Sequence, residues 1–396
     1  MDTQKYSENF AIFLLTGFLF FHIVEFMIMM PLGPQLMRVL QIDAAQFSYL
    51  VAVYNFSAAV SGLLGIFWMD KWDRKTAILL INFCFAVGTI ACFLSTTYLG
   101  LLSSRIITGA FGGLIGALSM TIIGDLIPFE RRGFAMSKLM SGFSLAAVAG
   151  VPIGLFLANH FSWQAPFIFV ALGSLSFFLL SYFKLPSMNE HLKAPRKTSF
   201  SDIISIFTDP FHIRCFIFMI LLMFGQFTVI PFISPSLVKN AGMTEAQLPL
   251  IYLIGGAATM FSTPLIGKLS DIYSKTLMFR ISAALAFIPI FFLTRAGVSS
   301  LVWILSITTI FFMASSGRMS PAMAILTSAV NPEQRGRFMS VNSAVQQVSS
   351  GLAVSLSGHI VFTNAEGHLE NYPMIGYIAI AVGMMSLYWV KRVESR

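Results

Sequence analysis

Charged residues are scarce in this sequence, and their scarcity excludes an ordinary soluble protein. Only 11% of the 396 residues are Asp, Glu, Lys or Arg, whereas 56% are hydrophobic, and the mean hydropathy is +0.79. Soluble domains carry about 25% charged residues. We therefore expect an all-α membrane protein, because helices satisfy their own backbone hydrogen bonds in lipid.

Residue patterns for enzymatic chemistry are also missing. The three cysteines and six histidines show no zinc-ligand spacing, and there is neither a phosphate-binding glycine loop after a strand nor a nucleophile elbow. We therefore predict that the protein is not an enzyme and has no cofactor or metal. The cysteines are odd in number and lie in apolar segments, which favours packing roles over a disulfide framework.

Apolar segments of about 20 residues, the length that crosses ~30 Å of hydrocarbon, recur along the whole chain. We predict twelve transmembrane helices. Their approximate spans are 10–37, 46–69, 76–95, 98–127, 136–160, 164–184, 212–238, 246–270, 277–295, 299–329, 338–362 and 373–390. The first span lacks a small-residue cleavage site and is too long for a signal peptide, so we expect it to be retained.

The net charge of +8 does not indicate a nucleic-acid partner, because the basic residues form no basic domain with interleaved aromatics. Their distribution indicates topology instead. With a cytoplasmic N-terminus, the loops on the opposite side hold only Arg38, Lys239 and Arg295, and nearly all other Lys and Arg residues are cytoplasmic. This asymmetry places both termini in the cytoplasm.

The chain contains an internal repeat. An offset of 201 residues places Glu25 on Gln226, and Asp70 on Asp271, and ERRGFAMS at 130–137 matches EQRGRFMS at 333–340. The repeat predicts two six-helix, pseudo-symmetric halves of parallel orientation. We assign residues 1–184 to the N-terminal half, 185–210 to a polar cytoplasmic linker and 211–396 to the C-terminal half.

Two loops resemble a known signature. MDKWDRKTAI at 69–78 and GKLSDIYSKT at 267–276 are similar to G-x-L-a-D-R-x-G-R-[KR] of the major facilitator superfamily. The first loop departs from it, with Ile66 and Asp73 where glycines stand. The form D-[RK]-x-D-R-[RK] resembles the bacterial sugar- and drug-efflux branch. The resemblance implies the major facilitator fold.

The resemblance implies that the charges of these loops act as gating latches. They are Asp70, Arg74, Lys75 and Asp125 in the first half and Asp271 and Lys275 in the second. It further implies that Asp70 docks at the start of the eleventh span and that Arg74 pairs with Asp125. Ser328 stands near the repeat position of Asp125, so we expect that pair only once. Alternatively, these residues only set topology.

Spans 4 and 5 carry two further resemblances. RIITGAFGG at 105–113 resembles a superfamily pattern with a membrane-embedded Arg105. A charge at that depth is costly unless it is paired, and snorkelling of Arg105 to the outer face is the alternative. AGVPIG at 149–154 resembles an antiporter motif and predicts a bend formed by Gly150, Pro152 and Gly154. Simple packing of small residues is the alternative.

Polar residues within the first span suggest proton coupling. Glu25 lies near its middle and His22 one turn earlier on the same face. An intramembrane carboxylate marks a functional site by default. Purely structural hydrogen bonding is the alternative for both residues.

The superfamily architecture implies that spans 1, 4, 7 and 10 surround a central pathway. Each contributes one strongly polar residue, namely Glu25, Arg105, Gln226 and Arg318. Span 11 adds Asn342 and Gln346, one turn apart on one face. We predict that Arg105, Gln226, Arg318, Asn342 and Gln346 line the substrate cavity.

These patterns predict a secondary active transporter of the bacterial cytoplasmic membrane. We expect export of a small organic solute by exchange for protons, with Glu25 deprotonated when the solute binds and protonated when it leaves. Proton-coupled uptake by symport on the same fold is the first alternative, and a membrane enzyme or sensor is the second. The expected partners are the small-molecule substrate, protons and membrane lipids, and we expect a monomer.

Overall fold

A computed structural model describes residues 8–193 and 200–394, and helices dominate both ranges. The first range contains α1 (Glu8–Ile28), α2 (Gly33–Val39), α3 (Ala44–Trp68), α4 (Arg74–Leu94), α5 (Tyr98–Leu126), α6 (Phe129–Leu145), α7 (Val151–His160) and α8 (Ala165–Lys184). The second contains α9 (Phe200–Thr208), α10 (Pro210–Phe227), α11 (Ile230–Lys239), α12 (Leu248–Ile272), α13 (Lys275–Leu293), α14 (Leu301–Gly317), α15 (Met319–Ala329), α16 (Pro332–Ile360) and α17 (Tyr372–Glu394).

Short elements connect these helices. They are the 3-10 turns Met69–Lys71, Glu190–Lys193 and Glu245–Gln247, a π-helical turn at Ala146–Gly150, and the strands β1 (Phe362–Thr363) and β2 (Leu369–Glu370). The two strands pair antiparallel, with Phe362 opposite Glu370.

Several helices begin where a polar side chain caps the free backbone N–H groups. Asp43, Asp73, Thr97, Ser274 and Ser300 each accept a hydrogen bond from the backbone N–H three residues later. Such a cap satisfies a donor that has no partner within the helix. These capping residues fix the starts of α3, α4, α5, α13 and α14.

Eleven of the predicted spans coincide with described helices, or pairs of helices, that are long and apolar enough to cross a membrane. The remaining span, 338–362, lies almost wholly within α16, which is long enough at 29 residues. Its Ser, Gln and Asn residues make it more polar than the other eleven. α16 packs against α3 and α10, so much of its surface contacts protein.

Three predicted spans are each divided into two helices, which corrects their assignment as single helices. The breaks separate α1 from α2, α10 from α11, and α14 from α15. A proline, Pro31, Pro231 or Pro321, lies within or just after each break. Proline removes the N–H that would bond four residues back, and its ring crowds that carbonyl.

The fifth span is distorted where the sequence predicts a bend. The π-helical turn Ala146–Gly150 connects α6 directly to α7, which has Pro152 in its first turn. Gly150 and Gly154 face α1 closely, since a Cβ atom would lie 2.1 Å from Val24 and 2.8 Å from Ile28. A side chain at either position would therefore require Val24 or Ile28 to move.

The apolar core formed by the described residues has three parts. One cluster is built from α1, α4, α5 and their neighbours before residue 190, and a second is built mainly from helices after residue 200. A third cluster contains residues from both regions. This arrangement is compatible with the predicted halves and linker, whose bounds stay a prediction.

We call the membrane face where α1 begins and α17 ends the terminal face, and the opposite face the far face. Contacts between the N-terminal and C-terminal helices close the far face. Arg38 forms an ion pair with Glu245, in which Nη2 lies 3.0 Å from Oε2. Asn159 donates to the Glu245 carbonyl at 3.1 Å. The Tyr49 hydroxyl lies 3.0 Å from His359 Nε2.

Candidate functional site

The centre of the N-terminal helices contains a buried ion pair. Glu25 on α1 accepts a hydrogen bond from Arg105 Nη1 on α5, and both side chains have no exposed surface. Arg105 Nε also donates to the Leu50 carbonyl on α3 at 3.3 Å. Arg105 is therefore held by two neighbouring helices and does not snorkel to the outer face.

Two further side chains extend this ion pair into a polar cluster. The Arg105 guanidinium lies over the Tyr54 ring, 4.4 Å from its centre. The Tyr54 hydroxyl forms a 2.8 Å hydrogen bond with His22 Nδ1, and both residues are buried. A desolvated cation–π contact is worth about 2 kcal/mol. His22 thus reaches the Glu25–Arg105 pair through Tyr54.

Glycines of α5 let this cluster form. A Cβ atom on Gly109 would lie 2.5 Å from the Tyr54 carbonyl oxygen, and one on Gly112 would lie 2.3 Å from the Tyr54 hydroxyl. Only glycine allows α5 and α3 to approach this closely. The RIITGAFGG segment therefore supplies both the charge and the space that its partners occupy.

The C-terminal helices hold a second arginine at a helix break. Arg318 connects α14 to α15 and is 2% exposed. Its Nη2 donates a long hydrogen bond, 3.4 Å, to Gln226 Oε1 on α10. Gln226 has the repeat position of Glu25, so each arginine contacts the same register of a repeat-related helix.

The amides of α16 are not joined to Arg318 by any hydrogen bond among the described residues. Asn342 is fully buried, and neither its Nδ2 nor its Oδ1 has a partner there. Gln346 is half-buried, one turn further on. Their place in a substrate cavity stays a prediction.

Several buried polar atoms at the centre of the protein have no hydrogen-bond partner among the described residues. In the described part of the chain they include Glu25 Oε2, Arg105 Nη2, Arg318 Nε and both side-chain atoms of Asn342. Most buried polar atoms in proteins are hydrogen-bonded. Four of the predicted central residues thus keep unused hydrogen-bonding capacity.

The loop MDKWDRKTAI at 69–78, which we call the first latch loop, contains an ion pair at the terminal face. Arg74 Nε lies 3.1 Å from Asp125 Oδ2, and Arg74 Nη1 donates to the Met69 carbonyl at 3.2 Å. The side chain of Asp70 lies outside the described residues. Lys75 Nζ lies over the Tyr182 ring at 5.9 Å. A gating role for these residues stays a prediction.

Asp73, which replaces a signature glycine, joins this loop to the segment after α8. Partial burial acts to raise the pKa of Asp73, but hydrogen bonds from the backbone N–H groups of Met188 and Thr76 and from two hydroxyls hold it below its usual value. The carboxylate therefore stays ionised and both caps α4 and anchors the following segment.

The loop GKLSDIYSKT at 267–276, which we call the second latch loop, lacks an ion pair of this kind among the described residues. Asp271 is exposed and Lys275 is half-buried, and both line an open cleft of about 800 Å³. Ser328, near the repeat position of Asp125, donates to the Ile325 carbonyl at 3.0 Å. The two loops therefore repeat in sequence but not in their ionic contacts.

Tyr54 is a central residue that the sequence patterns did not identify. A weak signal was available, because a tyrosine deep in an apolar helix needs a partner for its hydroxyl. Asn55 is its neighbour, and this amide is also buried, with its Oδ1 lacking a hydrogen-bond partner in the described ranges.

No described cluster of three His, Cys, Asp or Glu side chains is arranged to hold a metal ion.

Comparison with known proteins identifies the family. The family model of the Major Facilitator Superfamily matches residues 14–354. A relative from Bacillus subtilis (strain 168), named "Uncharacterized MFS-type transporter YtbD", is 26% identical over 330 residues, covering 83% of this chain and 81% of the relative.

Solved transporter structures share the fold. A bacterial homolog of the human lysosomal transporter Spinster, inward-facing and occupied, has a TM-score of 0.76 at 15% identity and covers 99% of this chain and 97% of its own. A D-xylose–proton symporter has a TM-score of 0.78 at 18% identity, covering 98% of this chain and all of its own. The chain therefore belongs to the major facilitator superfamily, as a multi-pass membrane transporter and not an enzyme.

Proposed function

We propose that the protein is a proton-coupled secondary transporter that exports a small organic solute by alternating access. The observation that carries this proposal is the Glu25–Arg105 ion pair, which lies fully buried between α1 and α5. An unpaired charge is costly in such surroundings, so a buried carboxylate that loses its cation takes up a proton instead. Movement of Arg105 and protonation of Glu25 are thereby coupled.

In the proposed cycle Glu25 is deprotonated and paired with Arg105 while the solute binds. Protonation neutralises Glu25, releases Arg105 and accompanies departure of the solute. Rocking of the two halves about this central region exposes it to one face at a time. Arg318, Gln226, Asn342 and Gln346 supply solute contacts from the C-terminal half.

The proposed setting is the bacterial cytoplasmic membrane, with a monomer whose termini are both cytoplasmic. The Lys and Arg asymmetry of the loops supports this orientation. The resemblance of the first latch loop and of AGVPIG to the efflux branch supports export. The buried ion pair supports protons as the coupling ion.

Proton flux in reconstituted vesicles tests the proposal. Purified protein is placed in liposomes that contain a pH-sensitive dye, and sugars, nucleosides and organic acids are added in turn. We expect at least one solute to move protons through the wild type, and Glu25→Gln to abolish that movement. Glu8→Gln is the matched control, since Glu8 lies half-buried at the start of the same helix and pairs with Arg131. Unchanged proton flux in Glu25→Gln would contradict the proposal.

Uptake by symport is a second candidate, and the buried Glu25–Arg105 pair favours it if the solute is an anion. Protonation of Glu25 leaves the positive charge of Arg105 uncompensated, which attracts an anion to the same region. Proton and anion would then bind together and travel in one direction. In the vesicle assay, solute and protons that enter together indicate symport, whereas opposite movements indicate antiport.

A further inference from the structure

We propose that the transported solute is a small organic anion whose single carboxylate group binds Arg318. This inference rests on the proposed transport function, in which the solute binds while Glu25 is deprotonated and paired with Arg105. It follows from a comparison of the two arginine sites, from the balance of buried charge, and from the donors that remain free.

The two arginines reach the same register of two repeat-related helices. Arg105 reaches residue 25 on α1, and Arg318 reaches residue 226 on α10, which is the same register after the 201-residue offset. The first contact is an ion pair, but the second meets the neutral amide of Gln226. The C-terminal half therefore repeats the arginine contact without the carboxylate.

The missing carboxylate leaves buried charge uncompensated. Glu25 neutralises Arg105, whereas no acidic side chain among the described residues pairs with Arg318, which is 2% exposed. An isolated buried cation carries a desolvation cost of several kcal/mol. Because a glutamine carries no charge, its 3.4 Å hydrogen bond does not remove this cost. A ligand with one negative charge would.

Free donors beside this charge suit a carboxylate. Arg318 Nε has no hydrogen-bond partner among the described atoms, and neither does the Ser315 hydroxyl one turn earlier on α14. Both side chains are 2% exposed. Guanidinium Nε and Nη2 groups bind the two oxygens of one carboxylate in parallel. A carboxylate could therefore bind Arg318 at two points and also accept a hydrogen bond from the Ser315 hydroxyl on the same helix face.

A neutral polyol fits less well than a carboxylate. Hydroxyl groups accept hydrogen bonds from arginine, but they leave its charge uncompensated in the membrane interior. One carboxylate gives two balanced pairs, Arg105 with Glu25 and Arg318 with the solute. A group with two negative charges would again leave an uncompensated charge.

Two substitutions at the arginine contact test the inference. Thermal unfolding of purified protein is measured with benzoate, lactate, nicotinate and gluconate, each compared with its uncharged amide. We expect at least one acid, and not its amide, to stabilise the wild type. Arg318→Gln should weaken binding of that acid by about 100-fold. Arg280→Gln is the control, since Arg280 is a half-buried arginine of the same half that bonds the Leu387 carbonyl.

Gln226→Glu is the sharper variant because it supplies the missing carboxylate within the protein. It should raise the unfolding temperature of the ligand-free protein and abolish the shift produced by the acid. Retained acid binding in this variant, equal binding of acid and amide, or no acid-specific shift in the wild type would each overturn the inference. The proton-flux assay changes only Glu25 and leaves Arg318 intact, so loss of proton coupling would be recognised separately from loss of acid binding.

Discussion

At the scale of single residues, the central site depends on contacts that leave no room for change. A hydrogen bond joins His22 to Tyr54, and the Tyr54 ring contacts the Arg105 guanidinium. An ion pair then joins Arg105 to Glu25. All four are buried, so none can exchange its partner for water. A small displacement of one member is therefore transmitted to the others.

Gly112→Ala should disturb this cluster. Its Cβ atom would lie 2.3 Å from the Tyr54 hydroxyl and 2.8 Å from His22 Nδ1, so the hydrogen bond between them must move. We expect a loss of about 1–3 kcal/mol in the free energy of unfolding, as for other overpacked sites. Thermal unfolding and proton flux measure the effect.

Gly116→Ala is the matched control one turn further along α5. Its Cβ atom would find its nearest neighbour, Leu19, at 3.8 Å, which is ordinary contact. Since alanine favours helix over glycine by about 1 kcal/mol, this variant should be neutral or slightly more stable. Equal loss of stability in both variants would show that the crowding at Gly112 is unimportant.

At the scale of helices, hydrophobicity predicts the spans but not how they are broken or paired. AGVPIG predicted the bend in the fifth span, yet the division of the first and seventh spans was not predicted, because a proline's effect depends on neighbouring helices. The polar residues Glu25 and Arg105 were recognisable from depth alone. Their pairing, and the contribution of Tyr54, depend on how α1, α3 and α5 pack, which no local pattern encodes.

Pro321→Ala should restore a continuous helix across α14 and α15. Alanine supplies an N–H that can bond to the carbonyl of residue 317, and it removes the ring that crowds this carbonyl. We expect slower hydrogen exchange of the amides between 318 and 322. Solute transport should also fall, because straightening the helix moves Arg318 away from Gln226.

Pro264→Ala provides the comparison for that variant. Pro264 is an exposed proline within α12, and the helix continues through it without a break. Its replacement should change neither hydrogen exchange near Arg318 nor transport. If Pro321→Ala slows hydrogen exchange but transports solute normally, the break between α14 and α15 is not needed for transport.

At the scale of the whole molecule, the two sets of helices are joined at the far face by Arg38 with Glu245, Asn159 with the carbonyl of Glu245, and Tyr49 with His359. These partners lie far apart in the sequence, so no sequence pattern indicated them. In the proposed orientation, which places both termini in the cytoplasm, these contacts join the helices on the outer side of the membrane. Alternating access requires these contacts to separate.

Reversing one charge of the far-face ion pair should favour that separation. In Arg38→Glu two carboxylates face each other, whereas the double variant Arg38→Glu/Glu245→Arg restores opposite charges. The Arg38 side chain is 61% exposed, and such pairs contribute at most about 1 kcal/mol, so the ratio of closed to open molecules should fall by about fivefold. The double variant should recover most of it.

Distances between spin labels at Val39 and Val298 measure this shift, after replacement of the three native cysteines by alanine. Both positions are exposed, at 52% and 88%, and they lie on different halves at the far face. The single variant should show a larger fraction of long distances than the wild type, and high salt should reduce the difference because it screens exposed charges. Identical distance distributions in all three proteins would mean that the helix contacts alone hold this face closed.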